Sequence, residues 1–335
     1  MIKHSLAILK DLQYPTGLVA ASKITVKTGY NLAWIRDNVY ASLGFEATKS
    51  YTRLKQIYHA LLDVLLKHEY KIDCAIKQKP AYHYQYIHAR YDPLTMEEIW
   101  EAWGNKQNDA IGALLYKIGD LESKSIKIIR NNNDLRIIQK LVHYLASVEY
   151  WHDEDNGIWE EFEEIHSSSV GACVAGLKKI SKLADVPKYL IRNGEKTLKK
   201  LLPRESKTKH VDMALLSLVY PYDVVSKQQA KTILNNVEKY LVRKKGVIRY
   251  IGDRYYYRNR EAEWTMGFPW LAIIYKKLNK PDKYSYYMRK TLSVMNKNGE
   301  LPELYFANAE HHNENSPLAW SQALYIVGQK AKFSV

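Results

Sequence analysis

A short acidic segment near the middle of the chain carries residue types suited to acid–base chemistry. Residues 157–164, Gly-Ile-Trp-Glu-Glu-Phe-Glu-Glu, place four carboxylates beside two aromatic rings. Crowding and partial burial raise the pKa of a carboxyl group and keep a proton on it near neutral pH. The segment therefore suggests a proton donor. Taken alone, such a charge run is more often a solvated turn before a helix, so the rest of the chain must decide.

Composition limits the class of protein that can hold this segment. The 335 residues include only 15 Gly and 10 Pro, which disfavours an all-β protein rich in turns. A hydrophobic content of 46% is normal for a globular protein with a substantial core. The 27 Tyr and 8 Trp can fill that core or line a cleft that stacks on flat apolar faces such as those of sugars or bases.

The charge pattern favours a solvated helical surface over a nucleic-acid site. The formal net charge is +14, but Lys and Arg are scattered along helix-like segments instead of forming one stripe. Nucleic-acid binding stays an alternative that rests on charge alone. Cys74 and Cys173 have no metal or redox spacing, and two distant thiols suggest a reducing compartment. No apolar run is long enough to span a membrane, so the expectation is a cytoplasmic protein.

Hydrophobic periodicity predicts an all-α chain forming one domain over residues 1–335. A capping-box pattern predicts a further short helix opening at 95–98, the stretch 70–94 looks irregular, and 246–258 looks like a short hairpin. The twelve main helices are expected at 2–13, 37–48, 51–68, 107–119, 135–147, 169–183, 187–201, 210–219, 227–241, 266–278, 282–296 and 317–329.

Every second helix has a different character. Helices such as 169–183 are small and apolar nearly all round, whereas the intervening ones carry Lys and Glu on one face. Loops rich in Trp, Asp, Glu and Arg precede the apolar set. Six inner helices ringed by six outer ones, with the polar loops gathered at one end, form an (α/α)6 barrel whose loops converge on one cleft.

Several motifs in these loops resemble, in chain order, those of glycoside hydrolase family 15, the glucoamylases and their glucodextranase and trehalase relatives. The resemblance covers nearly the whole chain. The matching segments are Tyr30 with Trp34-Ile35-Arg36-Asp37, Trp103 to Asp109, Trp159-Glu160-Glu161, Arg249 to Tyr256, Gly267-Phe268-Pro269-Trp270, and Leu301-Pro302-Glu303 followed by Ser316 to Ser321.

This resemblance implies the site residues. Glu160, directly after the tryptophan, would be the general acid and Glu303 the general base of an inverting glycosidase. In such enzymes the two carboxyl groups stand about 6.5–9.5 Å apart, with a water between them. The expected substrate contacts are Tyr30, Trp34, Arg36, Asp37, Trp103, Trp159, Glu161, Arg249, Asp253 and Trp270. No cofactor is implied, and His311-His312 with Glu314 fits no zinc spacing.

The chain also departs from the family pattern. A family-like Gln after the base is replaced by Leu304, and 257–266 looks like an insertion that could narrow or cover the cleft. The chain begins almost at the first barrel helix, without the β-sandwich domain that precedes the barrel in many prokaryotic relatives.

Three functions compete at this stage. The first is an exo-acting hydrolase that releases glucose from α-linked gluco-oligosaccharides, and a trehalase is its close rival because both substrates present a terminal α-glucose. The second is a barrel that binds glucan without turnover and has a regulatory role; the presence of both Glu160 and Glu303 counts against it. The third is nucleic-acid binding, which predicts an affinity that falls steeply with salt. Linkage and oligomeric state are left open.

Overall fold

Helices dominate the computed structural model, which describes residues 1–101 and 103–330. Within these residues the α-helices are α1 (Ile2–Asp11), α2 (Ile35–Ala47), α3 (Tyr51–Lys67), α4 (Glu69–Lys77), α5 (Asn108–Ser123), α6 (Asn132–Val148), α7 (Ser167–Ile180), α8 (Lys188–Leu201), α9 (Leu216–Val219), α10 (Lys227–Tyr240), α11 (Gly267–Lys277), α12 (Pro281–Ser293) and α13 (Ala319–Lys330). The strands are the two-residue segments β1 (Ala33–Trp34), β2 (Arg90–Tyr91), β3 (Glu263–Trp264) and β4 (Leu304–Tyr305). Short 3-10 helices cover His83–Gln85 and Met213–Leu215.

Six helices form a closed inner ring. Helix α13 packs against α2, and the ring continues through α5, α7, α9 and α11 back to α13. These helices are buried nearly all round: every residue of α2 from Ile35 to Phe45 and of α11 from Gly267 to Lys276 is buried. Their sequences are accordingly apolar on all faces. The predicted (α/α)6 barrel is confirmed.

The outer ring consists of α1, α3, α6, α8, α10 and α12, each of which buries one face. Helix α8 shows the pattern, because Leu190, Gly194 and Leu198 are its only buried residues and follow the spacing of one helix face. Helix α4 adds a further outer segment packed against α6. Within residues 1–101 and 103–330, none of the helices combines the length and apolar character needed to cross a bilayer.

The closest approach in the inner ring lies between α5 and α7 and depends on glycine. A Cβ on Gly112 would lie under 3.0 Å from backbone atoms of Ala172 and Cys173. A Cβ on Gly176 would meet the carbonyl of Gly112 equally closely. Both positions must stay without a side chain for the two helix backbones to touch.

Four sequence predictions need correction. The 70–94 stretch is not wholly irregular, because it contains most of α4. No helix opens at 95–98: the Asp92 carboxylate accepts from the backbone N–H groups of Leu94 and Thr95, which fixes a turn instead. Residues 210–219 form only the 3-10 turn and the one-turn α9. The 246–258 stretch is no hairpin, since Val247 forms isolated bridges to Val242 and Trp264.

Two small antiparallel pairings fasten the loops at the functional end. Strand β1 pairs with β2, with Trp34 opposite Arg90, and β3 pairs with β4, with Trp264 opposite Leu304. The second pairing is extended by a hydrogen bond from the Thr265 N–H to the Glu303 carbonyl at 3.1 Å. These contacts bring loops that are distant in sequence to one mouth of the barrel.

Candidate active site

A cavity of about 280 Å³ opens among the loops that precede the inner helices. Its size is near the lower end of small-molecule sites, about 300 Å³. The lining is mainly aromatic and charged: Ala21, Tyr30, Trp34, Arg36, Asp37, Trp103, Ile158, Trp159, Glu160, Glu161, Arg249, Tyr255, Trp264, Met266, Leu318 and Trp320. One ring with hydroxyl groups on its edge and apolar faces would suit such walls.

Arg36, at the start of α2, fixes the position of Glu160. Its guanidinium is 3% exposed and donates to Glu160 Oε1 at 2.8 Å, to Gln107 Oε1 at 2.8 Å and to Asp109 Oδ2 at 3.1 Å. Burial raises the pKa of Glu160 to about 7, and the negative charge of Asp37 acts in the same direction, whereas Arg36 opposes the shift. A carboxyl group with this pKa can hold a proton near neutral pH.

Glu160 sits at the tip of a short hairpin formed by residues 155–164. Backbone hydrogen bonds join Asp155 with Glu164 at the base, and Asn156 accepts from the Glu161 N–H at 3.0 Å. Two positions have left-handed backbone, with φ of 62° at Gly157 and 64° at Glu160. A non-glycine residue in that conformation is costly, and such strain is concentrated at functional sites. The acidic segment is therefore a defined turn that presents one glutamate to the cavity.

Buried groups support this hairpin from below. The His166 ring contacts the Phe162 carbonyl at 3.4 Å on one side and Glu205 at 3.4 Å on the other. The Asp155 carboxylate accepts from the Gly157 N–H, the Asn108 N–H and the Ser169 hydroxyl. Burial lowers the pKa of His166, but Glu205 and Asp155 outweigh it and raise the pKa to about 9. The hairpin thus rests on a histidine that stays charged near neutral pH.

Glu161 points into a cluster of cations instead of standing free. Its carboxylate accepts from Arg249 at 2.7 Å, Lys209 at 3.0 Å and the Tyr250 hydroxyl at 2.5 Å. Asp253 binds the same guanidinium through two hydrogen bonds of 2.7 and 2.5 Å. These partners fix Arg249 at the cavity wall as a directed donor.

Glu303 is fully buried and reaches the cavity through Tyr30. The Tyr30 hydroxyl donates to Glu303 Oε1 at 2.5 Å, and the Asn315 amide donates to Oε2 at 2.8 Å, with Asn313 on the same oxygen. Burial raises the pKa of Glu303, while these donors oppose the shift. Burial also raises the pKa of Tyr30, as do the charges of both Glu303 and Glu160. Tyr30 therefore lies within electrostatic reach of both carboxylates.

The aromatic walls are held by cation contacts and ring packing. The Arg90 guanidinium lies 5.3 Å from the Trp34 ring centre and 4.5 Å from that of Trp103. On the opposite wall, Trp159 packs on Trp264 with ring centres 5.5 Å apart. The Trp159 indole donates to Asp212 at 2.8 Å, which fixes its ring orientation.

Several donors around the cavity have no partner. The buried Nε1 atoms of Trp34, Trp264 and Trp320 and the Nε of Arg36 lack a hydrogen bond among the described residues. All four residues line the cavity. Leaving a buried donor unpaired is costly, so unused N–H groups around one hollow are suited to a ligand rich in oxygen acceptors.

Most residues predicted for the site do line the cavity. They are Tyr30, Trp34, Arg36, Asp37, Trp103, Trp159, Glu160, Glu161 and Arg249. The placement of Trp270 is a correction: it is fully buried between Tyr40 and Trp320, donates to the Tyr220 carbonyl and belongs to the core. Asp253 is also fully buried and contacts Arg249 behind the wall, so it orients that residue instead of lining the cavity.

Sequence reasoning missed three aromatic lining residues. Tyr255 and Trp320 lie inside matched segments but were not singled out, and Trp264 falls in the stretch 257–266 that looked like an insertion. The pairing of β3 with β4 brings Trp264 to the wall. This stretch therefore contributes to the wall of the cavity. Within the described chain, His311, His312 and Glu314 do not form a metal-holding group of three.

Known proteins similar to this chain fall into two groups. Among curated proteins, the probable phosphorylase b kinase regulatory subunit alpha of Caenorhabditis elegans is 23% identical, over 88% of this chain and 30% of the relative. The chain thus spans about 30% of the length of the curated relatives it matches. Among solved structures, a wild-type glycosidase has a TM-score of 0.84 at 19% identity, over 98% of this chain and 94% of that one.

A second solved structure has the same barrel. The glucoamylase from Saccharomycopsis fibuligera has a TM-score of 0.70 at 15% identity and covers 98% of this chain and 92% of its own. At these identities the structural likeness establishes the fold alone. The sequence itself establishes more, because residues 2–333 match the family described as glycosyl hydrolases family 15. The chain belongs to glycosyl hydrolases family 15.

Proposed function

We propose that the protein is an inverting exo-acting glycoside hydrolase that releases glucose from α-linked gluco-oligosaccharides. One observation carries the proposal: Glu160 and the Tyr30–Glu303 pair meet at a single cavity of one-sugar size. Family membership and the barrel fold of solved glycosidases support the same class. The small cavity favours attack at a chain end, because it holds the terminal ring and little more.

Glu160 serves as the general acid. Its raised pKa of about 7 keeps a large part of the population protonated near neutral pH. The Arg36 hydrogen bond occupies Oε1, which leaves Oε2 to hold the proton. As the glycosidic bond breaks, that proton passes to the leaving oxygen, and Arg36 stabilises the carboxylate that remains.

Glu303 serves as the general base. In an inverting reaction the base takes a proton from a water on the face of the sugar opposite the leaving group. Tyr30 and Asn315 stabilise the ionised form of Glu303 by donating to it. A water beside the Tyr30 hydroxyl would have this carboxylate as its proton acceptor.

The sugar is held by the remaining walls. Asp37 can accept from hydroxyl groups, and the unpaired N–H groups of Trp34, Trp264 and Arg36 can donate to them. Charged hydrogen bonds to hydroxyls are strong and directional. The tryptophan rings cover the apolar faces of the sugar.

Product analysis by NMR tests the proposal. Incubation with maltose, isomaltose, trehalose, dextran and starch is expected to release β-glucose from α-1,4- or α-1,6-linked substrates. Preferential hydrolysis of trehalose would identify the trehalase alternative. The spectrum reports the linkage preference and the anomer together.

A second candidate has a specific basis in the curated relatives, whose names describe regulatory subunits of a kinase. In that reading the barrel binds a glucan end and transmits occupancy to a partner without turnover. The complete hydrogen bonding of Glu303 is compatible with it, because all three donors are satisfied without water. Calorimetric binding of malto-oligosaccharides with no product after prolonged incubation would favour this candidate.

A further inference from the structure

An exposed group of aromatic rings stands apart from the otherwise buried aromatic content of the loops. Tyr82, Tyr84 and Trp100 are 62%, 57% and 77% exposed, and Tyr70 at the start of α4 is also exposed. The Tyr82 and Tyr84 rings are parallel to within 5°, with centres 5.7 Å apart. Exposed rings at this density have no packing role and are suited to stacking on a flat ligand.

These rings border a groove that begins at the catalytic cavity. A cleft of about 560 Å³ contacts Trp103, Glu160 and Glu161, which also line the cavity, and its far wall includes Tyr84 and Trp100. A second cleft of about 380 Å³ continues past the same two rings to Tyr70. We call both clefts together the outer groove. It leads from the proton donor to the surface, on the side where a leaving group would depart.

The charges in the outer groove are neutralised internally. Lys71 is buried and binds both oxygens of Glu98 at 2.7 and 2.5 Å. Arg90 pairs with Glu101 at 2.6 Å. With its cations paired, the outer groove offers little attraction to an anionic chain. It offers ring faces together with polar side chains such as Asn105 and Gln78.

We propose that the outer groove binds the leaving-group portion of a neutral sugar chain, with Tyr84 and Trp100 as stacking platforms. The substrate is then a linear oligosaccharide of several units, not a disaccharide. The inference rests on the proposed function, because the chain end must lie in the cavity beside Glu160. The continuity of the outer groove with that cavity identifies the occupant: successive rings of one chain would fit successive clefts.

Binding measurements on the inactive Glu160→Gln protein test the inference without hydrolysis. Calorimetry compares a linear seven-glucose α-1,4 oligosaccharide with maltose. Adding Trp100→Ala or Tyr84→Ala is expected to weaken the longer ligand about tenfold, in line with the loss of an aromatic contact, and maltose less than about twofold. Tyr286→Ala, which removes an exposed ring on the remote helix α12, is the matched control and should change neither.

The outcomes separate the two proposals. If the longer sugar binds and neither groove variant weakens it, or if both sugars weaken equally, the outer groove is not a subsite and the proposed function stands. If neither sugar binds the Glu160→Gln protein, the proposed function fails and the inference with it. Both rings are exposed, so both variants are expected to fold, and circular dichroism checks this.

Discussion

The Tyr30 hydroxyl lies 2.5 Å from Oε1 of Glu303 and donates its proton to it. Tyr255 donates in turn to the Tyr30 oxygen at 3.1 Å. These bonds connect the first loop of the barrel with the last and link a fully buried carboxylate to the cavity surface. Because a donor to a carboxylate favours its charged form, Tyr30 helps to keep Glu303 ready to accept a proton.

Replacing Tyr30 with phenylalanine should therefore impair the base. Loss of the donor raises the pKa of Glu303, so the acid side of the pH–rate profile should move to higher pH, and kcat should fall about 10- to 100-fold. Steady-state kinetics across pH measure both effects. Tyr82→Phe, which changes an exposed hydroxyl, serves as the control. An unchanged profile in Tyr30→Phe would show that Glu303 does not act through this bond.

Replacing Glu160 with glutamine should remove the acid. We expect a loss of at least about 1,000-fold in kcat, within the range of general acid contributions. In the wild-type protein the rate should fall as pH rises through about 7, because the donor must be protonated. Glu163→Gln is the matched control, since Glu163 lies in the same hairpin but faces Lys106 and His83. Retained activity in Glu160→Gln would remove this mechanism.

The same substitution should change how stability depends on pH. The folded pKa of Glu160, about 7, exceeds the model value of 4.5. The folded state therefore binds this proton more tightly, and the resulting stability is present below pH 4.5 and lost as pH rises through 7. From pH 4.5 to 8, wild type should lose about 1–3 kcal/mol in unfolding free energy relative to Glu160→Gln. Urea unfolding at both pH values measures this difference, and parallel curves would contradict it.

The contact between α5 and α7 predicts a stability effect outside the site. Gly112→Ala places a methyl group against the backbone of α7 and should destabilise the fold by about 1–3 kcal/mol or more. Gly328→Ala is the matched control in inner helix α13, because its nearest neighbour is the flexible end of Met288. Thermal unfolding should show a lower Tm for the first variant only. Equal melting of the two variants would show that the helices can separate without cost.

The fold was accessible from sequence wherever one pattern governed a whole helix. Inner helices such as α5 and α7 are apolar on all sides because they are buried on all sides. The short helix expected at 95–98 failed because Asp92, outside the capping pattern, accepts from two backbone N–H groups and forms a turn. Competition of this kind between local hydrogen bonds is not visible in periodicity.

The site was accessible only as far as its motifs reached. The segment around Glu160 could be recognised, but its hairpin geometry depends on Asp155 and His166 bonding to distant loops. Trp264 went unnoticed because its place in the wall follows from pairing with Leu304, forty residues later in the chain. Trp270 was assigned to the site wrongly, since a motif at a helix start does not indicate which face of that helix meets the cavity.

The central claim is that Glu160 and Glu303 act together on one sugar in one cavity. Proton NMR during the first minutes of incubation with a linear α-1,4 gluco-oligosaccharide tests it most directly, because mutarotation has not yet mixed the anomers. The account predicts β-glucose as the first product, and its disappearance in both Glu160→Gln and Glu303→Gln. Release of α-glucose, or no glucose despite measurable binding, would contradict the account.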